Sequence, residues 1–196
     1  MIRLTIAIPT VLGREAEFNS LFNKIKVQAN AFLDVEVISL KDNKEISIGQ
    51  KRNNLYSMAK GLYTVQIDDD DSVPMDYVQK IMSAIEFDCD CIGYIESCVI
   101  NGAQQYSKIS LDYPEWQTLN PVSGGFNYTR TPFFKVPIKT SICKEIGVAD
   151  MRFGEDHDFA KRIYPHLKDC YFINEVMYYY TAKSLTQQEH KERYGL

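Results

Sequence analysis

Apolar residues in the first half of the chain follow two alternating patterns, short continuous runs and longer stretches with one apolar face. Residues 2–8 form a run rich in β-branched residues that stops at Pro9, which predicts a strand buried on both faces. The next segment repeats apolar residues at a 3.6-residue period, which predicts a helix. Its apolar stripe consists of Phe18, Leu21, Phe22, Ile25, Ala29 and Phe32. The patterns continue with strands over residues 35–40 and 62–67 and helices over residues 48–60 and after Pro74.

This alternation predicts parallel strands joined by helical crossovers, in an α/β sheet with helices on both faces. The second half differs, because residues 91–100 and 104–111 flank Asn101-Gly102, a dipeptide that favours a tight antiparallel hairpin. Residues 112–135 are interrupted by proline and glycine and predict a long structured loop over the site. We therefore expect one domain over residues 1–196, built on a mixed sheet with its ligands beyond the carboxyl ends of the strands.

Composition and charge narrow the function classes. The chain has 196 residues, of which 45% are hydrophobic and 24% charged, as in one ordinary folded domain. Its 22 basic and 26 acidic residues give a net charge of −4, which does not favour a nucleic-acid surface. The 5 cysteines form no Cys-x-x-Cys pair and predict a reducing, cytoplasmic location. No stretch reaches the roughly 18 apolar residues of a membrane-spanning helix.

Four consecutive acids follow the third predicted strand: Asp68, Asp69, Asp70 and Asp71. At the two-residue period of a strand, Asp68 and Asp70 would point to one side and Asp69 to the other. Ionised acids packed together repel unless a cation or hydrogen-bond donors compensate, and carboxylate oxygens suit Mg²⁺ or Mn²⁺ that keeps substrate phosphates as further ligands. The structural alternative is an acidic, solvated turn.

A second acidic cluster, Gly154-Glu155-Asp156, begins an amphipathic helix. Acids in a first helical turn are also favoured by the helix dipole, which would explain them without any function. Beside a metal site, however, a separate carboxylate would supply a general base for an incoming hydroxyl.

Four motifs occur in a definite order along the chain. They are Ile8-Pro9-Thr10, Gly49-Gln50-Lys51-Arg52-Asn53, Gly61-Leu62-Tyr63 leading into the four aspartates, and Gly154-Glu155-Asp156. In this order the chain resembles the GT-A fold glycosyltransferases, in particular small family 2-like enzymes that use a nucleotide-sugar donor. The resemblance is colinear and covers most of the chain. It implies a Rossmann-like, mostly parallel mixed sheet with an antiparallel C-terminal part, a donor-binding half over residues 1–111 and an acceptor and catalytic-base half over residues 112–196.

The resemblance also implies roles for the acids. Asp68, with Asp69 beside it, matches the position near the nucleotide ribose. Asp70 matches the ligand of a divalent metal, Mn²⁺ or Mg²⁺, that bridges the donor diphosphate. Asp156 matches the catalytic base and Glu155 stands next to it in the catalytic pair.

Further positions are matched outside these clusters. Those that cradle the nucleobase correspond to Pro9, Thr10 and Asp42, and the donor-site pair corresponds to Arg52 and Asn53. His190 matches a histidine that reaches the metal, and the alternative for it is a solvated surface residue. Among the aromatic residues of the predicted loop, Trp116 and Tyr128 are expected to face an acceptor.

The function implied is metal-dependent, inverting transfer of a sugar from a nucleotide-diphosphate donor, expected to be UDP-linked, to an acceptor hydroxyl. A glycan fits as acceptor better than a modified nucleic acid, given the net negative charge. The chain is short for such enzymes, so a homodimer or a partner subunit is expected to complete it.

Two alternatives stay open. A Mg²⁺-dependent phosphohydrolase is one, because Asp68-x-Asp70-x-Ser72-Val73 partly fits the nucleophile motif of the haloacid dehalogenases. That motif belongs after the first strand of its fold, whereas two strand-helix units precede it here. The other is a module that binds nucleotide-sugars without catalysis.

Overall fold

The computed structural model describes residues 1–100, 102–120 and 125–182. Its first half has the alternation of strands and helices that the apolar pattern predicts. The elements in chain order are β1 (Leu4–Val11), α1 (Glu15–Ala29), β2 (Val35–Asp42), α2 (Ile48–Met58), β3 (Tyr63–Gln66) and α3 (Tyr77–Ile85). Strand β1 is buried along almost its whole length, because helices cover the sheet on both faces.

Strand β1 lies between β2 and β3 and runs parallel to both. Leu4 is paired with Val35 on one side and with Tyr63 on the other. The three strands therefore end at the same edge of the sheet, and the four aspartates follow β3 at that edge. Ligands of open α/β sheets bind at such an edge.

The second half begins with the predicted hairpin, formed by the antiparallel strands β4 (Cys91–Ile100) and β5 (Ala103–Ile109). Asn101 of its turn lies outside the described residues. The long structured loop predicted over residues 112–135 contains two short strands, β6 (Gln117–Thr118) and β7 (Tyr128–Arg130), which extend the sheet beyond β5. Strands of two and three residues are held by backbone pairing and are too short to produce a hydrophobic period.

The remaining elements complete a mixed, mostly parallel sheet flanked by helices, as expected. They are β8 (Ile138–Lys139), α4 (Thr140–Ile146), α5 (Glu155–Ile163) and β9 (Cys170–Ala182). The strand order is β2-β1-β3-β8-β4-β5-β7-β6, and β9 pairs with β4 in parallel. Within the described part of the chain, no helix is long and apolar enough to cross a membrane.

Two motif glycines are required by close backbone packing. A Cβ atom on Gly49 would lie 1.8 Å from the carbonyl oxygen of Ala149, and one on Gly61 would lie 2.5 Å from the amide nitrogen of Thr5. The first contact fixes the start of α2 against the loop that leads to α5. It therefore helps to set the distance between the motif on α2 and the acids of α5.

Candidate active site

Arg52 on α2 joins the two acidic motifs. Its guanidinium is buried, and Nη2 lies 2.9 Å from Asp68 Oδ1 while Nε lies 3.3 Å from Glu155 Oε1. The guanidinium carbon lies 3.5 Å from the centre of the Phe134 ring, so the cation stacks on an aromatic face. One buried cation thus brings the acids after β3 next to the acids of α5.

The two carboxylates that share Arg52 have different electrostatic environments. Burial opposes ionisation of Asp68, but the combined attraction of Arg52, Lys135 and Arg14 outweighs it and lowers the pKa of Asp68. For Glu155 burial is the larger effect, and its pKa is raised despite Arg52. Of these two carboxylates, Asp68 therefore holds its negative charge more firmly than Glu155.

Asp69 points towards β1. It is buried, accepts a hydrogen bond of 2.7 Å from the hydroxyl of Thr10, and lies 2.7 Å from Nη1 of Arg14. The same Arg14 nitrogen lies 3.2 Å from Asp70 Oδ2. The predicted alternation is therefore correct for Asp68 and Asp69 and wrong for Asp70, which shares a partner with Asp69. The reason is that β3 ends at Gln66 and the chain turns at Asp69 and Asp70.

Asp71 belongs to a buried polar network behind the cavity. The hydroxyl of Tyr178 on β9 donates to Asp71 Oδ2, and Lys135 Nζ lies 3.3 Å from the same oxygen. Lys135 also lies 3.2 Å from Glu96 Oε1 on β4. Burial raises the pKa of Asp71 to about 7. Sequence reasoning missed Glu96, Lys135 and Tyr178, because each stands alone in an apolar or mixed segment with no motif around it.

Asp70 has the properties expected of a carboxylate that meets a substrate-borne cation. Its side chain is 28% exposed at the carboxyl edge of the sheet. In the described ranges, no three or more His, Cys, Asp or Glu side chains gather to hold a metal ion. Proteins usually bind Mg²⁺ through one or two carboxylates, and substrate phosphates supply further ligands. Asp70 at the edge of the sheet fits this arrangement. His190 lies outside the described residues.

Asp156 lies in the first turn of α5, beside Glu155. It is half-buried, and its Oδ1 accepts the backbone N–H of His157 at 2.8 Å. Asp156, Glu155, Asp68 and Arg52 all line one cavity of about 320 Å³. The helix dipole accounts for acids in this turn, but it does not account for a cavity between them and the acids after β3.

The residues predicted to hold the nucleobase gather around Lys51, which sequence reasoning did not assign. Lys51 Nζ donates to the carbonyl oxygen of Thr10 at 2.6 Å and forms an ion pair with Asp42. Pro9 is buried within β1. Asn53 is not brought to the cavity, because its side chain exchanges hydrogen bonds of 2.6 and 2.7 Å with the backbone of Val148.

The opposite wall of the cavity comes from β4, β5 and β7. Trp116 and Tyr128, expected to face an acceptor, do line the cavity. The guanidinium of Arg130 covers both rings, with its carbon 4.9 Å from the Trp116 ring centre and 4.7 Å from that of Tyr128. Their faces are thus occupied by a cation, and Arg130 is a further residue that sequence reasoning missed.

Comparison with known proteins rests on structure alone, since no family model and no curated protein matches the chain. Crystal structures of S. aureus TarS 1–349 are similar to it, at 17% identity, a TM-score of 0.64 and coverage of 98% of this chain. The complex of TarS 1–349 with UDP-GlcNAc matches at 16% identity, a TM-score of 0.65 and 94% coverage. The chain has the fold of TarS. The predicted GT-A fold is thereby confirmed.

The match covers nearly all of this chain but only part of TarS 1–349. The complex with UDP matches over 98% of this chain at 16% identity and a TM-score of 0.64. The chain spans 63% of TarS 1–349, which is less than two thirds of it. The similarity therefore concerns the domain built on the mixed sheet.

Proposed function

We propose that this protein is a nucleotide-sugar glycosyltransferase that moves a hexose from a UDP-linked donor to an acceptor hydroxyl. The observation that carries the proposal is the bridge from Asp68 through Arg52 to Glu155. Asp68, two residues before the proposed metal ligand Asp70, and Asp156, the proposed base, line the same cavity. The UDP-GlcNAc and UDP complexes of TarS, a protein of the same fold, support the class of donor.

The donor side is formed by the ends of β1 and β3 and the start of α2. Asp70 would hold a Mn²⁺ or Mg²⁺ ion, which when bound offsets the negative charge of a diphosphate leaving group. Arg14, 35% exposed beside Asp69 and Asp70, supplies a further positive charge at this edge. Lys51 holds Thr10 and Asp42 together where the nucleobase is proposed to lie.

Asp156 is the proposed general base. It is half-buried at the cavity, whereas Glu155 is buried and its Oε1 lies 3.3 Å from Nε of Arg52. Asp156 takes the proton from the acceptor hydroxyl while that oxygen forms a bond to the anomeric carbon of the sugar. The bond from this carbon to the diphosphate breaks, and its electron pair leaves with the phosphate oxygen. A single displacement of this kind inverts the anomeric carbon, and no covalent intermediate is required.

The phosphohydrolase alternative is weakened by the position of Asp68. The first aspartate of that motif acts as a nucleophile, which requires a carboxylate oxygen that is free to attack phosphorus. Asp68 is instead held by the buried guanidinium of Arg52 at 2.9 Å. Among the described residues Asp156 forms no ion pair, although Arg130 attracts it from a greater distance, so its carboxylate is less closely held than that of Asp68.

The test is release of UDP from UDP-GlcNAc with Mn²⁺, with water and a panel of monosaccharides and glycans as acceptors. We expect slow hydrolysis in water and faster release with a suitable acceptor. Para-nitrophenyl phosphate with Mg²⁺ should give no phosphate. Binding of UDP without turnover of any UDP-sugar would favour the non-catalytic module, and phosphate release would favour the phosphohydrolase.

A further inference from the structure

A row of side chains crosses four strands beneath the cavity. Glu96 on β4 is paired with Tyr178 on β9 and with Ser107 on β5, and Ser107 is paired with Tyr128 on β7. Directly paired residues point to the same face of a sheet, so these side chains form one line on the cavity face. Glu96, Ser107 and Tyr128 all border the cavity on the side away from Arg52.

Glu96 is a buried carboxylate with accepting capacity to spare. Lys135 lies 3.2 Å from its Oε1, and the thiol of Cys98 donates to its Oε2 at 3.5 Å. An ionised carboxylate has about four acceptor sites, so further donors can be accommodated. Lys135 pairs with one oxygen of Glu96 without closing the carboxylate off, because Glu96 still borders the cavity.

Two buried polar groups on residues of the same cavity have no hydrogen-bond partner among the residues that the structure describes. They are the hydroxyl of Ser107, on a residue only 1% exposed, and the indole N–H of Trp116. Both residues border the cavity. Buried polar groups are nearly always satisfied, so a donor and a hydroxyl left without partners at a cavity indicate a ligand that completes them.

The required ligand chemistry is that of a sugar. It must donate to a carboxylate, exchange a hydrogen bond with a hydroxyl and accept from an indole N–H, which neighbouring hydroxyl groups on one ring can do together. The cavity volume of about 320 Å³ is at the lower end for small-molecule sites, roughly 300–1,000 Å³. It suits a single sugar ring better than an oligosaccharide.

We propose that Glu96, Ser107 and Trp116 form a hydroxyl-binding subsite that selects the sugar ring lying between β4–β5 and Asp156. The proposal rests on the proposed glycosyltransferase function and goes beyond it by assigning specificity to residues outside every sequence motif. The ring is either that of the donor or that of the acceptor, since both offer the same hydroxyl chemistry.

The experiment compares Glu96→Gln and Ser107→Ala with two controls, Tyr106→Phe and Glu17→Gln. Tyr106 is the neighbour of Ser107 on the other face of β5, and Glu17 is an exposed acid on α1. Affinities for UDP and for UDP-GlcNAc, UDP-glucose and UDP-galactose are measured by calorimetry with Mn²⁺. UDP release with water and with free monosaccharides is measured in parallel, and thermal melting reports whether each variant folds.

A donor-sugar subsite predicts that Glu96→Gln weakens the best UDP-sugar by roughly 10- to 100-fold, the effect of losing a hydrogen bond to a charged group. The affinity for UDP alone should change less than about twofold, because no hydrogen bond to the nucleotide is removed. An acceptor subsite predicts unchanged binding of UDP and UDP-sugars, unchanged hydrolysis in water, and loss of transfer to monosaccharides. Either result supports the proposal, and both controls should behave as the unaltered protein.

Unchanged affinities and transfer in both variants would overturn the proposal while leaving the glycosyltransferase function intact. Equal loss of UDP and UDP-sugar binding would also overturn it, because a sugar subsite does not act on the nucleotide. If the unaltered protein bound no UDP or UDP-sugar, the proposed function would fail and the subsite with it. Ser107→Ala removes an unpartnered hydroxyl and should fold, so the test does not depend on the stability of Glu96→Gln.

Discussion

Arg52 and Asp68 are joined by an Nη2–Oδ1 contact of 2.9 Å inside the domain, at the point where α2 passes the end of β3. The same guanidinium reaches Glu155 on α5. A buried charge is costly unless it is paired, so three charged groups from three separate segments depend on one another. The stability of the domain and the arrangement of its proposed site are therefore linked at Arg52.

Replacement of Arg52 by methionine should destabilise the domain strongly. Glu155 would be left buried, and Asp68 partly buried, without this guanidinium, and loss of one partner of a buried ion pair costs about 3–5 kcal/mol. The free energy of unfolding in urea at pH 7 measures this loss. The loss should shrink at pH 5, where buried unpaired carboxyls take up protons. Arg152→Met is the control, because Arg152 is exposed and its contacts are to backbone oxygens. Equal effects of the two substitutions would contradict the central role given to Arg52.

Asp156→Asn should slow transfer strongly while leaving donor binding intact. Loss of a general base typically lowers the rate by roughly 100- to 10,000-fold, and the amide preserves the shape of the side chain. Asp158→Asn is the matched control in the same helical turn, where Asp158 pairs with Arg162. If the acids serve only the helix dipole, both variants should lose about 0.3–1 kcal/mol of stability and neither should lose activity selectively.

Asp70→Ala should remove the effect of metal on UDP binding. The unaltered protein should bind UDP more tightly with Mn²⁺ than with EDTA, because one carboxylate and the diphosphate would share the ion. Calorimetry in both buffers measures the difference. The melting temperature should change little, since the ion pair of Asp70 with Arg14 is partly exposed and such pairs contribute little. Metal enhancement that survives in Asp70→Ala would remove Asp70 from the metal site.

Cys91 on β4 and Cys170 on β9 are paired directly across the two strands, and Cys170 should be the more reactive of these two thiols. Its register partner is Cys91, and the hydrogen bond between the two thiols lowers the pKa of Cys170 to about 7. Alkylation by iodoacetamide, followed by peptide mass spectrometry, should reach half its maximal rate near pH 7 at Cys170. Cys89 is the internal comparison, because burial raises its pKa. Cys91→Ala should shift the alkylation profile of Cys170 to higher pH, and an unshifted profile would contradict the role of the hydrogen bond.

Gly49→Ala should prevent proper docking of α2. The added Cβ would lie 1.8 Å from the carbonyl oxygen of Ala149, so the backbone must move, at a cost of at least about 1–3 kcal/mol. Gly102→Ala is the comparison, since it stands in open space and bears only the strain of its φ of +78°. Urea unfolding of both variants separates close packing from backbone strain. Donor binding should also weaken in Gly49→Ala, because Lys51 and Arg52 follow on the same helix.

The order of the helices and strands could be predicted because each shows its own period of apolar residues in the local sequence. The apolar stripe from Phe18 to Ala29 and the run that precedes Asp68 each specify an element without knowledge of the rest of the fold. The same holds for the hairpin at Gly102, where a turn dipeptide stands between two strands. Strands β6 and β7 had no such signal, since they are defined only by pairing with β5 and with each other.

The site was predictable where acids cluster and unpredictable where single charges are brought together by the sheet. Asp68 and Asp156 stand in motifs, so their meeting around a cavity could be expected. Lys135 and Glu96 are separated by 39 positions and become neighbours only when the chain after β7 passes the middle of β4. No local pattern encodes such a contact, because it depends on strand order and register.

The shortness of β6 and β7 has a consequence for how this cavity can change. Trp116, Tyr128 and Arg130 form a wall of the cavity. Tyr128 and Arg130 lie on β7 and Trp116 directly precedes β6, and these strands join the sheet through pairings of only three and two residues. Arg52, by contrast, is fixed by two buried ion pairs. A grafted segment could therefore replace this wall while the ion pairs of Arg52 with Asp68 and Glu155 stay in place. Such chimeras offer a route to new substrates if the grafted segment keeps the packing of Trp116 against the hydrophobic core.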